Sequence, residues 1–182
     1  GVDDMSAEQQ IYDVTKGEMG METSIASDIT KLYGLTRRTR TAAINASILP
    51  KMLNTANQTE QSVRGAGVKV PLMIMRGDGG VMEINEMKKR PVLTMLSGPA
   101  ASVMGSLMYL RASNGVYFEV GGTTTNIGVI KNGRPAIDYS VVGGHRTYIT
   151  SLDVRVLGVA GGSMIRLSKS GVTDVGPRSA HI

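Results

Sequence analysis

The sequence predicts an α/β fold in which a helical and α/β first half is followed by a second half led by an antiparallel β-hairpin. Before residue 112, apolar residues recur at helical spacing in several segments. From Gly115 onward, apolar runs of strand length alternate with glycine-rich turns. The chain has 182 residues, with 41% hydrophobic and 19% charged, so it is long enough for one domain or two small lobes with a packed core.

The first half begins with segments that favour helix. Residues 4–16 are polar and compatible with a helix, and Ser27 or Asp28 is suited to cap a short helix that ends at Gly34. Thr36 is expected to cap a helix over residues 37–49, and Pro50 to break or kink it. A further helix is predicted as far as Arg64, before a glycine-rich stop.

Shorter elements follow. The apolar run 68–75 predicts a buried strand, residues 77–80 a turn, residues 83–89 a short helix and residues 91–96 another strand. Residues 97–110, SGPAASVMGSLMYL, predict a helix, because Pro99 suits a first turn and the apolar residues recur at helical spacing.

The second half reads mostly as β-structure. Residues 115–120 and 126–131 are predicted to pair through the intervening turn, and residues 135–142 to add a third antiparallel strand after a turn at Asn132 and Gly133. Residues 164–167 and 172–175 predict a last hairpin.

The most informative segment is the turn between the first two of these strands. An acid, Glu119, and Val120 are followed by Gly121, Gly122, Thr123, Thr124 and Thr125. Glycines permit positive φ and close approach of a ligand, and clustered N–H and hydroxyl groups form an anion site. An ordinary hairpin with a glycine turn is the competing interpretation.

Composition narrows the function classes. The chain has no cysteine, so disulfides and thiolate chemistry are excluded. No apolar run reaches the roughly 18 residues of a membrane span, and the N-terminus lacks a signal pattern, so a cytoplasmic protein without a membrane partner is expected. The net charge of +5 lies in clusters at predicted helix ends rather than in a stripe interleaved with aromatics, which argues against nucleic-acid binding.

Four motifs, in order, resemble the hydantoinase/oxoprolinase family, including its N-methylhydantoinase A type. They are RGDGGVMEINEMKKRPVLTMLSGPAAS (76–102), EVGGTTTNIGVIKNGRP (119–135), LDVRVLGVAGGSMIRL (152–167) and VGPRSA (175–180). The resemblance extends from about Tyr33 to the C-terminus. It implies a ribonuclease H-like fold of the actin-like ATPase type, of which this chain would be an internal fragment.

The resemblance also implies chemistry. Family members hydrolyse cyclic amides, such as hydantoins or 5-oxoproline, at the expense of ATP. The chain would then carry the second phosphate-binding loop, with Gly121, Gly122, Thr123, Thr124 and Thr125 around the terminal phosphates of ATP. Glu119 would be a catalytic residue and a ligand for Mg²⁺, although it would otherwise cap the turn or pair with a cation.

Asn126 stands where the family usually has an aspartate. An amide cannot act as a base and is a weaker metal ligand, so this departure bears on the catalytic role expected at position 126. It favours one competing interpretation, a non-catalytic nucleotide-binding or regulatory module. Another is a structural fragment that forms a subunit interface.

The resemblance assigns residues 1–112 to the end of a first lobe, with the crossing helix 97–110, and residues 113–182 to the start of a second lobe. ATP and Mg²⁺ are expected only in the full-length protein, and the isolated chain is expected to be inactive. The implied partners are a small cyclic amide and a second hydantoinase-type subunit or domain, with homo-oligomerisation left open.

Overall fold

The structure, a computed structural model, describes residues 1–111 and 113–180. Its helices are α1 (Ser6–Met19), α2 (Ala26–Thr30), α3 (Leu35–Gly65), α4 (Ile84–Lys89) and α5 (Ser97–Leu110), with a 3₁₀ turn at Pro91–Thr94. Its strands are β1 (Met73–Met75), β2 (Val81–Glu83), β3 (Gly115–Val120), β4 (Thr125–Lys131), β5 (Arg134–Pro135), β6 (Ile137–Val142), β7 (His145–Leu152), β8 (Val154–Leu157), β9 (Ser163–Ser168) and β10 (Gly171–Ser179).

Packing divides the chain into two compact units. The first contains Gly1–Ser97 and Asp138–Ser151, and the second contains Gly98–Ile137 and Leu152–Ile182. This division by packing differs from the predicted lobe boundary at residue 112, and the lobe assignment stays a prediction. Among residues 1–111 and 113–180, none of the helices combines the length and the apolar character that a membrane span requires.

The first unit is organised around the long helix α3, whose buried positions contribute to two apolar clusters. One cluster contains Ile29, Ala42, Val92 and Ile149, and the other contains Ala56, Met82, Ile84 and Met87. On the same helix, the fully buried Asn45 accepts a hydrogen bond from Val92 N at 3.1 Å and donates to Lys89 O at 3.2 Å. Both ends of the buried amide are therefore satisfied, as a polar group in a core requires.

The second unit is built on the β3–β4 hairpin. The strands are antiparallel, from Gly115 opposite Ile130 to Val120 opposite Thr125. On the other edge of β4, β8 pairs with residues 125–128, whereas β5 pairs only at Ile130 and Lys131. Helix α5 buries Ala100 and Val103 against Leu152 and the ring of Tyr117. Strands β9 and β10 form a separate antiparallel hairpin.

Several predicted elements are confirmed. Helix α5 spans Ser97–Leu110 as predicted, β3 and β4 reverse at residues 121–124, and the last hairpin is present as β9 and β10. The third strand is only partly right. Residues 134–135 pair with β4, but β6 leaves that sheet and pairs with β7. Pro135 lacks an N–H group and cannot extend the ladder, and Ala136 O instead accepts from Asp153 N at 2.8 Å.

Other boundaries were wrong in the first half. Helix α3 continues through Pro50 without ending, and it begins at Leu35 after Gly34, so Thr36 is not its cap. Neither Ser27 nor Asp28 caps α2, because both lie inside the helix and the N-cap position is Ile25. The N–H and hydroxyl groups of Ser27 instead donate to Glu8 at 2.9 and 2.7 Å. Residues 91–94 form a 3₁₀ turn rather than a strand, and the strand predicted over 68–75 is limited to β1.

Candidate phosphate-binding site

The turn between β3 and β4 is an exposed reversal. Gly121 N donates to Thr124 O at 3.0 Å and closes the turn, after which the ladder begins with Val120 opposite Thr125. Gly121, Gly122 and Thr123 are exposed, and Thr124 is half-buried. A ligand can therefore reach the backbone at the tip of the hairpin.

The glycines of this turn do not adopt the left-handed conformation that the sequence suggested. Neither Gly121 nor Gly122 has a positive φ. A Cβ atom at position 121 would lie 3.2 Å from Thr124 O, whereas one at position 122 would enter open space. A side chain at position 121 would therefore require a small shift of Thr124 O, whereas at position 122 the structure leaves room for a side chain.

A second glycine segment contacts the turn from within the same unit. Gly161 N donates to Gly121 O at 3.0 Å, and Gly162 N donates to Gly122 O at 2.7 Å. The hydroxyl group of Thr125 donates to Val159 O at 2.6 Å and ties β4 to the same segment. These three bonds hold the turn from one side.

The five loop residues consequently differ in what they can offer to an anion. The N–H of Gly121 and the hydroxyl proton of Thr125 are already used within the protein. In residues 1–111 and 113–180, the N–H groups of Gly122, Thr123 and Thr124 find no acceptor, and the hydroxyls of Thr123 and Thr124 have no partner. The turn therefore presents three backbone donors and two hydroxyls to the outside.

Glu119 lies on β3 beside the turn and is held by two neighbours. Its Oε2 accepts hydrogen bonds from the Tyr117 hydroxyl at 2.9 Å and from Asn126 Nδ2 at 3.3 Å. The bond from Tyr117 and then that from Asn126 lower the pKa of Glu119, with a smaller contribution from Ser102. The carboxylate is thus kept ionised and oriented.

Tyr117 suits this task because its surroundings keep it protonated. Burial against α5 is the main cause that raises the pKa of Tyr117, and the adjacent Glu119 acts in the same direction. A phenol with a raised pKa stays a donor over the neutral range. Asn126 faces Glu119 directly across the ladder and supplies an amide donor where a second carboxylate would repel.

The structure brings together Glu119, Asn126 and residues 121–125, which were the predicted site residues. Tyr117, Gly161 and Gly162 also contribute to this arrangement and were not among the predicted site residues. The first could have been found, because residues i and i+2 of a strand share a face. No local signal predicts that residues 40 positions apart form hydrogen bonds.

A metal ion would find a single carboxylate here. The described part of the chain contains no cluster of three or more His, Cys, Asp or Glu side chains able to hold a metal. Mg²⁺ commonly binds one or two carboxylates and completes its shell with phosphate oxygens and water. Glu119 is compatible with that pattern. The described residues do not provide enough ligands for a metal site made of protein groups alone.

The family model described as Hydantoinase/oxoprolinase matches residues 38–182. The chain is similar to caprolactamase subunit alpha of Pseudomonas jessenii, with 29% identity over 79% of this chain and 21% of that protein. It is also similar to the acetophenone carboxylase gamma subunit of Aromatoleum aromaticum, with 30% identity over 88% of this chain and 22% of that protein.

Solved structures agree with these matches. The ATP-dependent caprolactamase from Pseudomonas jessenii has a TM-score of 0.75 and 25% identity, over 99% of this chain and 27% of that chain. Nucleotide-free acetone carboxylase has a TM-score of 0.78 and 20% identity, over 98% of this chain and 26% of that chain. The predicted α/β, actin-like ATPase type of fold is confirmed. The chain spans about a quarter of the length of the proteins it matches.

Proposed function

The chain belongs to the hydantoinase/oxoprolinase family, and from this premise we propose that it carries the second phosphate-binding loop of an ATP-dependent enzyme that opens cyclic amides. The proteins it resembles include an ATP-dependent caprolactamase, an acetone carboxylase and the gamma subunit of an acetophenone carboxylase. The caprolactamase and the acetone carboxylase are both described as ATP-dependent. The ring-opening reaction and the cyclic amide substrate are the finer parts of the proposal.

One observation carries the proposal, namely the set of donors without partners at the exposed turn. Gly122, Thr123 and Thr124 offer three backbone N–H groups, and the two threonines add hydroxyls. Convergent backbone donors with hydroxyl support are a common phosphate-binding arrangement, since hydrogen bonds to a charged oxygen are stronger than those between neutral groups. We assign the terminal phosphates of ATP to this turn.

Glu119 is proposed to lie near the Mg²⁺ ion that accompanies the nucleotide. A bound Mg²⁺ would neutralise charge on the phosphate oxygens. The chain's own contribution is to keep the Glu119 carboxylate ionised and fixed through Tyr117 and Asn126. Direct ligation and ligation through water are both compatible with one carboxylate in this position.

The proposed reaction uses ATP to activate the amide. The carbonyl oxygen of the ring attacks the γ-phosphorus, and ADP leaves. A first water adds to the activated carbon, and the ring C–N bond breaks as the nitrogen takes up a proton, which leaves an acyl phosphate. A second water hydrolyses this acyl phosphate to the free carboxylate and inorganic phosphate. The turn would stabilise the charge on the transferred phosphoryl group, because donors fixed in advance need no reorganisation during the reaction.

The test uses the full-length polypeptide that contains this chain. ATP affinity is measured by calorimetry for the parent, for Gly122→Val and for Gly115→Val, a matched control at a glycine that also has open space around it. We expect the first variant to lose at least tenfold in affinity and the control to bind as the parent does. Equal binding by Gly122→Val at unchanged thermal stability would reject the phosphate loop in favour of an ordinary hairpin.

Substrate class is tested separately, by ring opening of hydantoin, 5-oxoproline and caprolactam with ATP and Mg²⁺. ADP release that depends on one of these amides supports the proposed reaction. A second candidate is ATP-dependent carboxylation, which the carboxylase gamma subunit among the relatives favours. ADP release that requires bicarbonate and a ketone, with no response to cyclic amides, would select it.

A non-catalytic nucleotide-binding module is a further candidate, favoured by Asn126. The amide of Asn126 is used to hold Glu119, so position 126 has no carboxylate to offer. ATP binding without turnover on any amide or ketone would support this reading. For catalysis, a second subunit or domain is proposed to supply the groups that this chain lacks.

A further inference from the structure

The backbone N–H groups of Gly161 and Gly162 bind carbonyl oxygens of the turn between β3 and β4. Gly161 N reaches Gly121 O at 3.0 Å, and Gly162 N reaches Gly122 O at 2.7 Å. Two successive peptide groups of the turn are therefore held through their oxygens by two successive N–H groups of the other segment. All four residues belong to the same compact unit.

Because the peptide bond is planar, these contacts also fix the direction of the Gly122 and Thr123 N–H groups. In a planar trans peptide, the C=O and N–H bonds point in opposite directions. The Gly121 carbonyl shares its peptide with the Gly122 N–H, and the Gly122 carbonyl shares its peptide with the Thr123 N–H. Both peptides are trans. The Gly122 and Thr123 N–H groups therefore point away from the Gly161–Gly162 segment, toward the exposed side of the turn.

We infer that the Gly161–Gly162 segment is a positioning element that aims the Gly122 and Thr123 N–H groups at one oxyanion, the terminal phosphate of the nucleotide. The identity of the ligand rests on the proposed function above, whereas the orientation of the two donors does not. Without the two carbonyl contacts, each glycine peptide could rotate, because glycine has the widest range of backbone conformations. Fixing them in advance removes that entropy from the cost of binding.

The positioning segment is itself held at several points. Ala160 N donates to the Ser163 hydroxyl at 2.8 Å, and Ser163 N donates to Ala160 O at 3.0 Å, which closes a tight turn around the two glycines. On the other side, Ala180 N donates to Gly162 O at 2.8 Å. Gly162 is buried between its neighbours. These hydrogen bonds hold the backbone of residues 160–163 in one conformation.

The orientation is tested without nucleotide, by residue-resolved amide hydrogen exchange on this chain. We expect slow exchange at Gly161 and Gly162, whose N–H groups are bonded, and fast exchange at Gly122 and Thr123, whose N–H groups face solvent. Slow exchange at both Gly122 and Thr123 would mean that these donors have internal acceptors, and it would overturn the inference whatever the ligand is.

The effect on binding is tested in the full-length polypeptide with MgATP as the probe. Gly161→Pro removes the N–H group that holds Gly121 O, and Gly161→Ala keeps it, with a Cβ at an ordinary 3.4 Å from that oxygen. We expect at least a tenfold loss of ATP affinity for the proline variant and a change within about twofold for the alanine variant. Parental affinity in a folded Gly161→Pro protein overturns the positioning role.

A second pair of variants covers the case in which Gly161→Pro does not fold. Thr125→Val removes the hydroxyl bond to Val159 O and keeps the side-chain shape, and Thr125→Ser keeps the hydroxyl. ATP affinity should fall severalfold in the valine variant, with faster exchange at Gly161 and Gly162, and should be retained in the serine variant. Equal ATP binding by both counts against the inference. If the parent binds no ATP, the proposed function fails, and amide exchange alone decides the orientation of the donors.

Discussion

The hydroxyl group of Tyr117 donates a hydrogen bond to Oε2 of Glu119 over 2.9 Å, two residues further along the same strand. The ring of Tyr117 packs against α5 while its polar tip reaches the carboxylate beside the candidate phosphate turn. The apolar core of the second unit and the acid of the site are thus connected through one side chain. Core packing therefore fixes the orientation of the carboxylate.

Tyr117→Phe should raise the pKa of Glu119 toward the ordinary glutamate value, because it removes the largest cause of its lowering. A lowered folded-state pKa stabilises the protein above the unfolded-state pKa of about 4.3, and this stabilisation is lost as pH falls through the folded-state value. The variant should therefore be less stable than the parent at pH 7, by about 1 kcal/mol, with a smaller difference near pH 3.

The measurement is NMR titration of the Glu119 carboxyl carbon, together with urea unfolding at both pH values. Phenylalanine keeps the ring against α5, so the fold is retained and the hydroxyl effect is isolated. An unchanged titration of Glu119 would show that the Tyr117 bond does not control its ionisation.

Asn126→Asp places a second carboxylate where the amide now lies 3.3 Å from Glu119 Oε2. Two carboxylates at this separation repel, and the pair should titrate with one raised pKa. Without metal we expect a loss of about 1 kcal/mol in stability. With Mg²⁺ the pair has two acidic ligands, so thermal stability should rise with Mg²⁺ concentration more than in the parent.

In the full-length polypeptide, this variant should bind ATP as the parent does or show greater Mg²⁺-dependent turnover. Asn126→Gln serves as the control, since it lengthens the side chain without adding charge. Thermal melting against Mg²⁺ concentration is the readout for metal. If the melting temperature of Asn126→Asp does not change with Mg²⁺ concentration, a carboxylate pair is excluded as a metal site.

Local signals predicted much of the second unit but less of its connections. The ends of α5 and the β3–β4 register follow from helical spacing, Pro99 and strand alternation around one glycine turn. Where β6 leaves the sheet, Asp153 N donates to Ala136 O, and no local pattern encodes this backbone bond between distant residues. Likewise, the hydrogen bonds from Gly161 and Gly162 to the turn join residues 40 positions apart, and no local pattern encodes them.

Pro50 shows how tertiary packing overrides propensity in the first unit. Helix α3 continues through it because the turns on either side bury Leu49 and Ala56 in the core. Pro50→Ala should restore the missing N–H bond to the carbonyl of Ala46 and remove the ring clash with it. We expect a gain on the order of 1–3 kcal/mol in unfolding free energy, measured by urea denaturation. An unchanged or lower midpoint would mean that the helix has already relaxed around the proline.

Gly77 marks a close approach between backbones in the first unit. A Cβ there would lie 2.0 Å from Met95 O, next to the hydrogen bond from Gly77 N to Leu93 O. Gly77→Ala should therefore cost about 1–3 kcal/mol, since the backbone must move. Gly105→Ala, on the exposed side of α5 with open space around it, should gain about 0.5–1 kcal/mol. Thermal melting of both variants checks the contrast, and equal midpoints would refute it.

Substitution of Thr124 is expected to change ligand affinity without changing the stability of the fold. Its hydroxyl has no partner among the described residues, whereas that of Thr125 donates to Val159 O. Thr124→Val keeps the shape of the side chain and removes one donor, so the fold should be unaffected. If the hydroxyl meets a charged phosphate oxygen, ATP affinity in the full-length polypeptide should fall by about 1–3 kcal/mol. Thr124→Ser retains the hydroxyl and should bind as the parent does.

Calorimetry of the three proteins gives the affinities, and melting curves give the stabilities. If valine and serine at this position bind ATP equally well, the Thr124 hydroxyl lies outside the phosphate site, and binding there relies on the backbone donors alone.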